Sequence, residues 1–553
     1  MTSTLKTPEI HQLELQGCSA ADWNSVKISP NVNLKEIRNV RFGNNVTIED
    51  FAVVRDIPGG IFNCTVKKGA LIENVGRIGF DDDATCGVGT LASVLDETGS
   101  RPSAIYPGLS AQLATLMARV PDFFKKISPS LPEFFESKKL LHVIGESAVV
   151  RDCGQILNVF IDRRVVVDGA QTLKNGAIIN SAADGSEFAF VGSGVDAENF
   201  IIEDGRADSG ALLRNCYVGQ GAEVNKGFTG HDSLFFANCT FENGETCAVL
   251  AGPFSVSMHK ASLIISCQLS FFNAGSATNQ SNHMYKLGPA HWGVLERGVK
   301  TSSGSYLMLG AKIGAFSLVM GQHKNHPDTS AFPFSYLFGD ERGNTIVVPA
   351  IMLRSCGLVR DQNKWPARDR RKKHGLHPND RINYSALNPA TIDTMLKAIN
   401  TINQLLVDQN LDGIYLSYKG MKFTYASLEM AKMLYTTAIF KYLSNVLPDG
   451  KFPESDEQPA GEWVDLGGQI ILRETLNEAL TADNIPEVEK ILDKAFLDFE
   501  EDQLKWVARR FGAWWRKREK LIPEYAAQFD DTINDDRQKY VESVAKETRM
   551  LDL

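Results

Sequence analysis

A chain of 553 residues exceeds a single hydrophobic core and predicts two or more domains, for which 43% hydrophobic content is sufficient. A formal net charge of −9 argues against a dedicated nucleic-acid binder, and no apolar run reaches the ~18 residues of a membrane span. Nine scattered cysteines without a Cys-x-x-Cys pair, and a polar start from Met1 to Gln12 without a signal core, predict reduced core thiols in a cytoplasmic protein.

Counting in sixes from Phe42 lands on Ile48, Val54, Gly60, Val66, Ile72 and Ile78. The one position of that run that is not large and apolar, Gly60, lies in a Pro-Gly-Gly turn. Neither a helix of period 3.6 nor a simple alternating strand places one inward residue every six. Stacked coils of short parallel strands do, and they predict a left-handed parallel β-helix of hexapeptide repeats. The rhythm returns at Ile144-Val150-Ile156, at Ile161-Val167-Leu173-Ile179 and at Leu212-Val218-Val224. Cys64, Cys216 and Cys239 each follow Asn inside such segments, where small buried residues are wanted.

Between these runs, Leu109 to Val120 has helical apolar spacing, so residues 81–142 read as a helical insertion after the first coils of residues 1–80. The main β-helix spans 143–360. A basic stretch, 361–387, contains Arg368, Arg370, Arg371, Lys372 and Lys373. Residues 388–553 read as an α-helical C-terminal domain, with helical patterns over Thr391–Gln409, Ala426–Leu447, Gly468–Leu480 and Pro486–Trp515.

Polar chemistry collects over residues 227–337. Six of the ten histidines lie there: His231, His259, His283, His291, His323 and His326. The run Asn279-Gln280-Ser281-Asn282-His283-Met284-Tyr285-Lys286-Leu287-Gly288 packs donors, acceptors and a cation into ten residues. Such a stretch is costly to bury without partners and is expected to line a cleft or contact a ligand. The plainer reading is that these side chains satisfy backbone groups at irregular coil corners.

The segments Gly252-Pro253-Phe254, His259-Lys260, Ser270-Phe271-Phe272-Asn273-Ala274-Gly275-Ser276 and Asn279 to Gly288 carry a resemblance, as do Met320-Gly321-Gln322-His323 and His326-Pro327-Asp328-Thr329-Ser330. With the lead-in Leu15 to Trp23 and with Asp96 to Arg101, the chain resembles a family of large bacterial hexapeptide-repeat proteins described as hexapeptide transferases without an assigned reaction. The resemblance runs to about residue 390 and more loosely through the helical tail. It implies a left-handed β-helix, an intracellular protein and an active-site-like polar segment.

Three chemistries fit such a segment. The first is acyl transfer from a thioester such as acetyl-CoA to a sugar or amino-sugar acceptor. It needs a neutral imidazole to take a proton from the attacking hydroxyl or amine, with donors holding the oxyanion. His283 is the first candidate base, followed by His259, His323 and His326. Asn279 or Asn282 would orient or donate, and Asp328 would fix a histidine tautomer. Asn273, Gln280, Ser281, Tyr285, Lys286, His326, Asp328, Arg368 and Arg370 are the expected substrate contacts. The second is sugar-phosphate or nucleotide-sugar binding, or nucleotidyl transfer, although no Gly-rich phosphate loop stands in a strand–helix context. The third, a metal site at His323-Lys324-Asn325-His326, lacks the helical frame of known zinc motifs, so no metal is expected. A non-catalytic binding scaffold is the remaining alternative. No nucleic-acid or membrane partner is expected, and a homo-oligomer is open: a trimer if the chain packs as β-helix transferases commonly do, unless the helical insertion and tail block that packing.

Overall fold

The computed structural model describes residues 3–183, 185–186, 189–281, 291–408, 411–412, 414–456 and 458–551. The chain divides into two compact units. The first holds Met1–Ser266 with Asp369–Asp380, and the second holds Cys267–Arg368 with Arg381–Leu553.

The first unit is a parallel β-solenoid. Its strands stack in register: Ile48 on Val66, Val66 on Ile144, Ile144 on Ile161 and Ile161 on Ile178. The same column continues through Ile202, Val218, Phe235 and Ala251. Every member is fully buried, so these side chains form one continuous apolar column. Val54 stands opposite Ile72, eighteen residues or three hexads on. Farther along, Ala197 stands opposite Leu213, only sixteen residues on. A turn of seventeen, from Ile161 to Ile178, falls between the two, and such shortened turns put the interior positions out of phase with a strict count of sixes. Leu213 is buried in place of the expected Leu212, and Ile178 in place of Ile179. The first coil's edge is covered by Ser3–Thr4, which pairs antiparallel with Lys27 and Ile28.

One corner is built as a ladder. Asn175, Asn199, Asn215 and Asp232 all take positive φ, between 45° and 55°, which Asn and Asp tolerate because their short side chains hydrogen-bond locally. Each amide donates to the next rung, Asn175 to Asn199 at 2.8 Å, Asn199 to Asn215 at 3.0 Å and Asn215 to Asp232 at 3.2 Å. The ladder also receives the insertion, since Gly87 donates to Asn175 at 2.9 Å and Ser93 to Asp232 at 2.9 Å through their backbone N–H groups.

Ile72 lies directly against Val150, seventy-eight residues later, so everything between is inserted into an unbroken stack. The insertion contains a two-stranded hairpin, Leu91–Ser93 with Pro102–Ala104, and helices at Ala111–Arg119, Pro121–Ile127 and Leu131–Ser137. Ser110 caps the first helix by accepting from Leu113 N–H.

A buried polar hub joins this insertion, the coils and the returning segment Asp369–Asp380. Asp380 accepts the N–H of Ala111 at 2.7 Å and of Ala237 at 2.8 Å. Glu203 accepts from Gly108 N–H at 2.7 Å, Tyr217 Oη at 2.8 Å and Asn379 Nδ2 at 2.9 Å. Burial holds the Glu203 carboxyl above its ordinary range against the pull of those donors. Arg370 sits on this unit, bonded to Gly221 O and 3.4 Å from Glu223. Cys64, Cys216 and Cys239 are buried, and burial pushes each thiol up to about 12.

The second unit carries further parallel coils. Gly293–Leu295 pairs with Cys267–Leu269, Tyr306–Met308 with Asn279–Ser281, and Tyr336–Phe338 with Leu318–Met320. Stacking of successive coils ends where Thr345–Val348 turns back antiparallel on Tyr336–Gly339. Long helices follow at Pro389–Asp408 and Tyr425–Val446, close to their predicted bounds. Ile485–Leu497 and Phe499–Arg516, the latter broken by a kink at Gly512, replace the single pattern read from Pro486, and Ile522–Leu551 follows. The pattern read as a helix from Gly468 is instead a hairpin, Trp463–Leu466 with Gln469–Leu472, before a helix at Arg473–Thr481. Gly467 and Gly468, both at positive φ, make that turn. Trp506 is buried, 6.4 Å from the Tyr442 ring, and its indole N–H donates to Gly461 O. Among the described residues, no helix is long and apolar enough to cross a membrane.

Arg297 ties the coils of this unit to its helical part. The side chain is 2% exposed and donates to Asp465 Oδ2 at 2.6 Å, to Gly468 O at 2.8 Å and to Asn383 O. Its guanidinium also lies 4.6 Å from the Phe271 ring centre.

Candidate functional site

The polar run enters the second unit as a strand. Asn279–Ser281 pairs with Tyr306–Met308, so Gln280 takes an interior position over Leu307, and Leu307 in turn lies over His323. Gln280 and Ser281 are buried where the first unit's interior column is apolar. Ser281 Oγ donates to Asn279 Oδ1 at 2.8 Å. The Gln280 amide has its room because Gly293 lacks a side chain, as a β-carbon there would lie 2.4 Å from Nε2. Among the described residues, that Nε2 finds no oxygen acceptor. Burial pushes the neighbouring Cys267 thiol up to about 12, with Gln280 opposing the shift. One coil on, Thr278 and Thr301 share a hydroxyl–hydroxyl bond of 2.6 Å.

The other residues expected in a site are placed as follows. His259 is exposed and belongs to the first unit, as does Arg370. Asn273 is exposed and bridges backbone to backbone with Lys300, whose ammonium pairs with Asp361. His323 is buried, with Nδ1 2.8 Å from Thr345 Oγ1 and Nε2 3.2 Å from Met320 O. His326 Nδ1 meets Leu309 O at 2.5 Å, and Asp328 accepts from both the N–H and the hydroxyl of Ser330. Arg368 is exposed. Asn282, His283, Tyr285 and Lys286 lie outside the described residues. His323 and His326 therefore meet partners in their own unit, and Asp328 is occupied by Ser330. Among the described residues, no three His, Cys, Asp or Glu side chains converge as metal ligands do.

Burial depresses the His323 imidazole to about 4, so it stays neutral in the folded state while the unfolded chain titrates near the ordinary 6.5. The unfolded state takes up the proton first as pH falls, so stability is complete above 6.5 and is lost from there down toward 4. The second unit should lose about 2–3 kcal/mol through this one group by pH ~4.5. Urea midpoints of wild type and His323→Gln at neutral and acid pH measure it, and an equal acid loss in both proteins would assign the loss elsewhere.

The first unit has a surface feature that motif reasoning passed over. A cleft of about 770 Å³ is lined by Arg41 and Arg77, by Phe42 and Phe62, and by the Gly59-Gly60 pair, with no carboxylate along its walls. Its sequence trace was the break in the hexads at Gly60.

A family model described as a domain of unknown function, DUF4954, matches residues 3–64 and 43–406 of this chain. No curated protein matches it.

Proposed function

We propose, for a chain that belongs to the DUF4954 family, a hexapeptide-type group transferase acting on a small sugar-like molecule, with acyl transfer from a CoA thioester as its reaction. The observation that supports this reading is the polar strand Asn279–Ser281. Among the described residues the buried Gln280 amide donor meets the Cys267 thiol and no oxygen, and an interior position tolerates a donor so weakly satisfied where the polarity is used. The same strand leads directly into the segment that carries His283, Tyr285 and Lys286. The Gln280 donor suits an acyl carbonyl oxygen, and no residue of this strand is assigned to the phosphates of CoA. When bound, the thioester would supply an activated acyl carbon. The chain's part is a base, His283, that takes the proton of the acceptor hydroxyl or amine, and amide groups from Asn279 or Asn282 that orient it.

Thiol release from acetyl-CoA, followed against a panel of sugars and amino sugars, tests the reading. With a matching acceptor, His283→Ala should lower the rate by about 10²–10⁴-fold while the thermal midpoint stays unchanged. Release that is unaffected by His283→Ala, or no release with any acceptor, rejects it. In that case the local bonding of His323 and His326 favours a non-catalytic binding scaffold.

A further inference from the structure

Four outward arginines of the first unit are answered by a carboxylate on an adjacent coil. Arg38 meets Asp56 at 3.5 Å, Arg55 meets Glu73 at 2.8 Å, Arg151 meets Asp168 at 2.6 Å and Arg214 meets Asp196 at 2.9 Å. Arg41 and Arg77, like Arg163, Arg164 and Arg206, meet none among the described residues, and Arg41 and Arg77 alone of these line one cleft. Phe42 pairs with Ile61 and Ile61 with Ile78, which sets Gly60 between the two arginines in the outward column. Where a carboxylate would stand, the intervening coil offers glycine.

That coil is irregular. Between the pairs Val40–Ile57 and Phe42–Ile61, the strand Val53–Phe62 carries two more residues than its neighbour. Pro58-Gly59-Gly60 absorbs the excess, with Gly60 at φ 96°. Side chains have no room here. A β-carbon on Gly59 would lie 2.2 Å from Gly76 O and 3.1 Å from the Arg77 Cβ, and one on Gly60 3.0 Å from Arg41 O and 3.7 Å from the Arg41 Cβ. The diglycine thus forms a bare floor, and both arginine stems rise beside it. Arg77 is steadied by Phe62, whose ring centre lies 4.9 Å from its guanidinium carbon. Both arginines are exposed, and no carboxylate pairs with either among the described residues.

We infer that this cleft binds a phosphorylated small molecule, its phosphate or diphosphate held between Arg41 and Arg77 above the diglycine floor. Their strands are two coil spacings apart, roughly 10 Å, within which both forks reach one phosphate or adjoining phosphates. Guanidinium matches phosphate oxygens in bidentate pairs, and two such forks favour a dianion over a lone carboxylate. A volume of about 770 Å³, walled partly by Phe42 and Phe62, leaves room for the organic part of such a ligand. The site is independent of the acyl-transfer reading and stands or falls by itself.

Calorimetric titration of the full chain with pyrophosphate, inorganic phosphate, a nucleoside diphosphate sugar and the unphosphorylated sugar tests it. Phosphorylated probes should bind and the neutral sugar should not. Arg41→Ala and Arg77→Ala should each weaken binding tenfold or more, and Arg38→Ala, a control on the same strand, should leave it unchanged. Tighter binding of the diphosphate sugar than of both inorganic ions would assign the organic part to the cleft. Inorganic phosphate binding as tightly as the ester would reduce the site to an anion hole and overturn the small-molecule assignment. Loss of equal size in Arg38→Ala, or no binding by any probe, would overturn the site itself. Unchanged melting midpoints of the exposed-arginine variants keep folding defects apart from lost binding.

Discussion

Asp380→Ala is expected to lower the unfolding free energy of the first unit by about 3–5 kcal/mol, as a buried carboxylate with two backbone donors is removed. Its oxygens accept from Ala111 N–H at 2.7 Å and Ala237 N–H at 2.8 Å, and the residue is 4% exposed. Water cannot replace it, so both amides are left without their acceptor, at about 1–3 kcal/mol each. Ala111 also opens the helix Ala111–Arg119, where a negative charge complements the dipole. The substitution therefore strikes the insertion and a coil strand together. Hydrogen exchange should show the amides of Ala111 and Ala237 losing protection, while the column residues Ile144 and Ile161 keep theirs until global unfolding. Asp380→Asn, which keeps one acceptor, should recover part of the loss. Wild-type protection at both amides in Asp380→Ala would refute the hub.

Arg297→Ala should cost the second unit about 3–5 kcal/mol, the range for breaking a buried ion pair from one side. The guanidinium answers a carboxylate, two backbone carbonyls and an aromatic face at once. Removing it leaves Asp465 with the Gly468 N–H alone and takes that donor from the carbonyls of Asn383 and Gly468. A lysine has a single compact ammonium and cannot span three acceptors in a plane, so Arg297→Lys should recover little. Chemical denaturation followed by tryptophan emission measures the effect, since Trp463 is next in sequence but one to Asp465. Recovery of full stability by lysine would mean that charge alone, not the fork geometry, holds the contact.

Both effects arise from tertiary arrangement, and neither could be read in advance. Asp380 lies at the end of a basic stretch that reads as a linker, 269 residues from Ala111. Arg297 lies within the span read as the main β-helix, 143–360, and belongs to no motif of the sequence. Of the polar residues that could be read in advance, His323 shows the limit of composition. Histidine enrichment marked the segment, but enrichment cannot distinguish a ring facing a substrate from one closed between Thr345 and Met320 O.

The sequence by itself determined the solenoid, because a six-residue rhythm leaves an apolar column only one way to escape water: stacking coil on coil. It determined that a helical segment interrupts the stack and that helices follow it, since those periods need only local information. The phase within each coil was decided by the stack, where sixteen-residue and eighteen-residue turns must share one interior. Tertiary structure alone set Arg41 and Arg77, thirty-six positions apart, on either side of Gly60. Coils bring together residues whose separation is a sum of turn lengths, and a bulge such as Pro58-Gly59-Gly60 alters that sum. Periodicity therefore names what lies inside a solenoid, while the outward columns, where charges pair or remain open to a ligand, are settled by register.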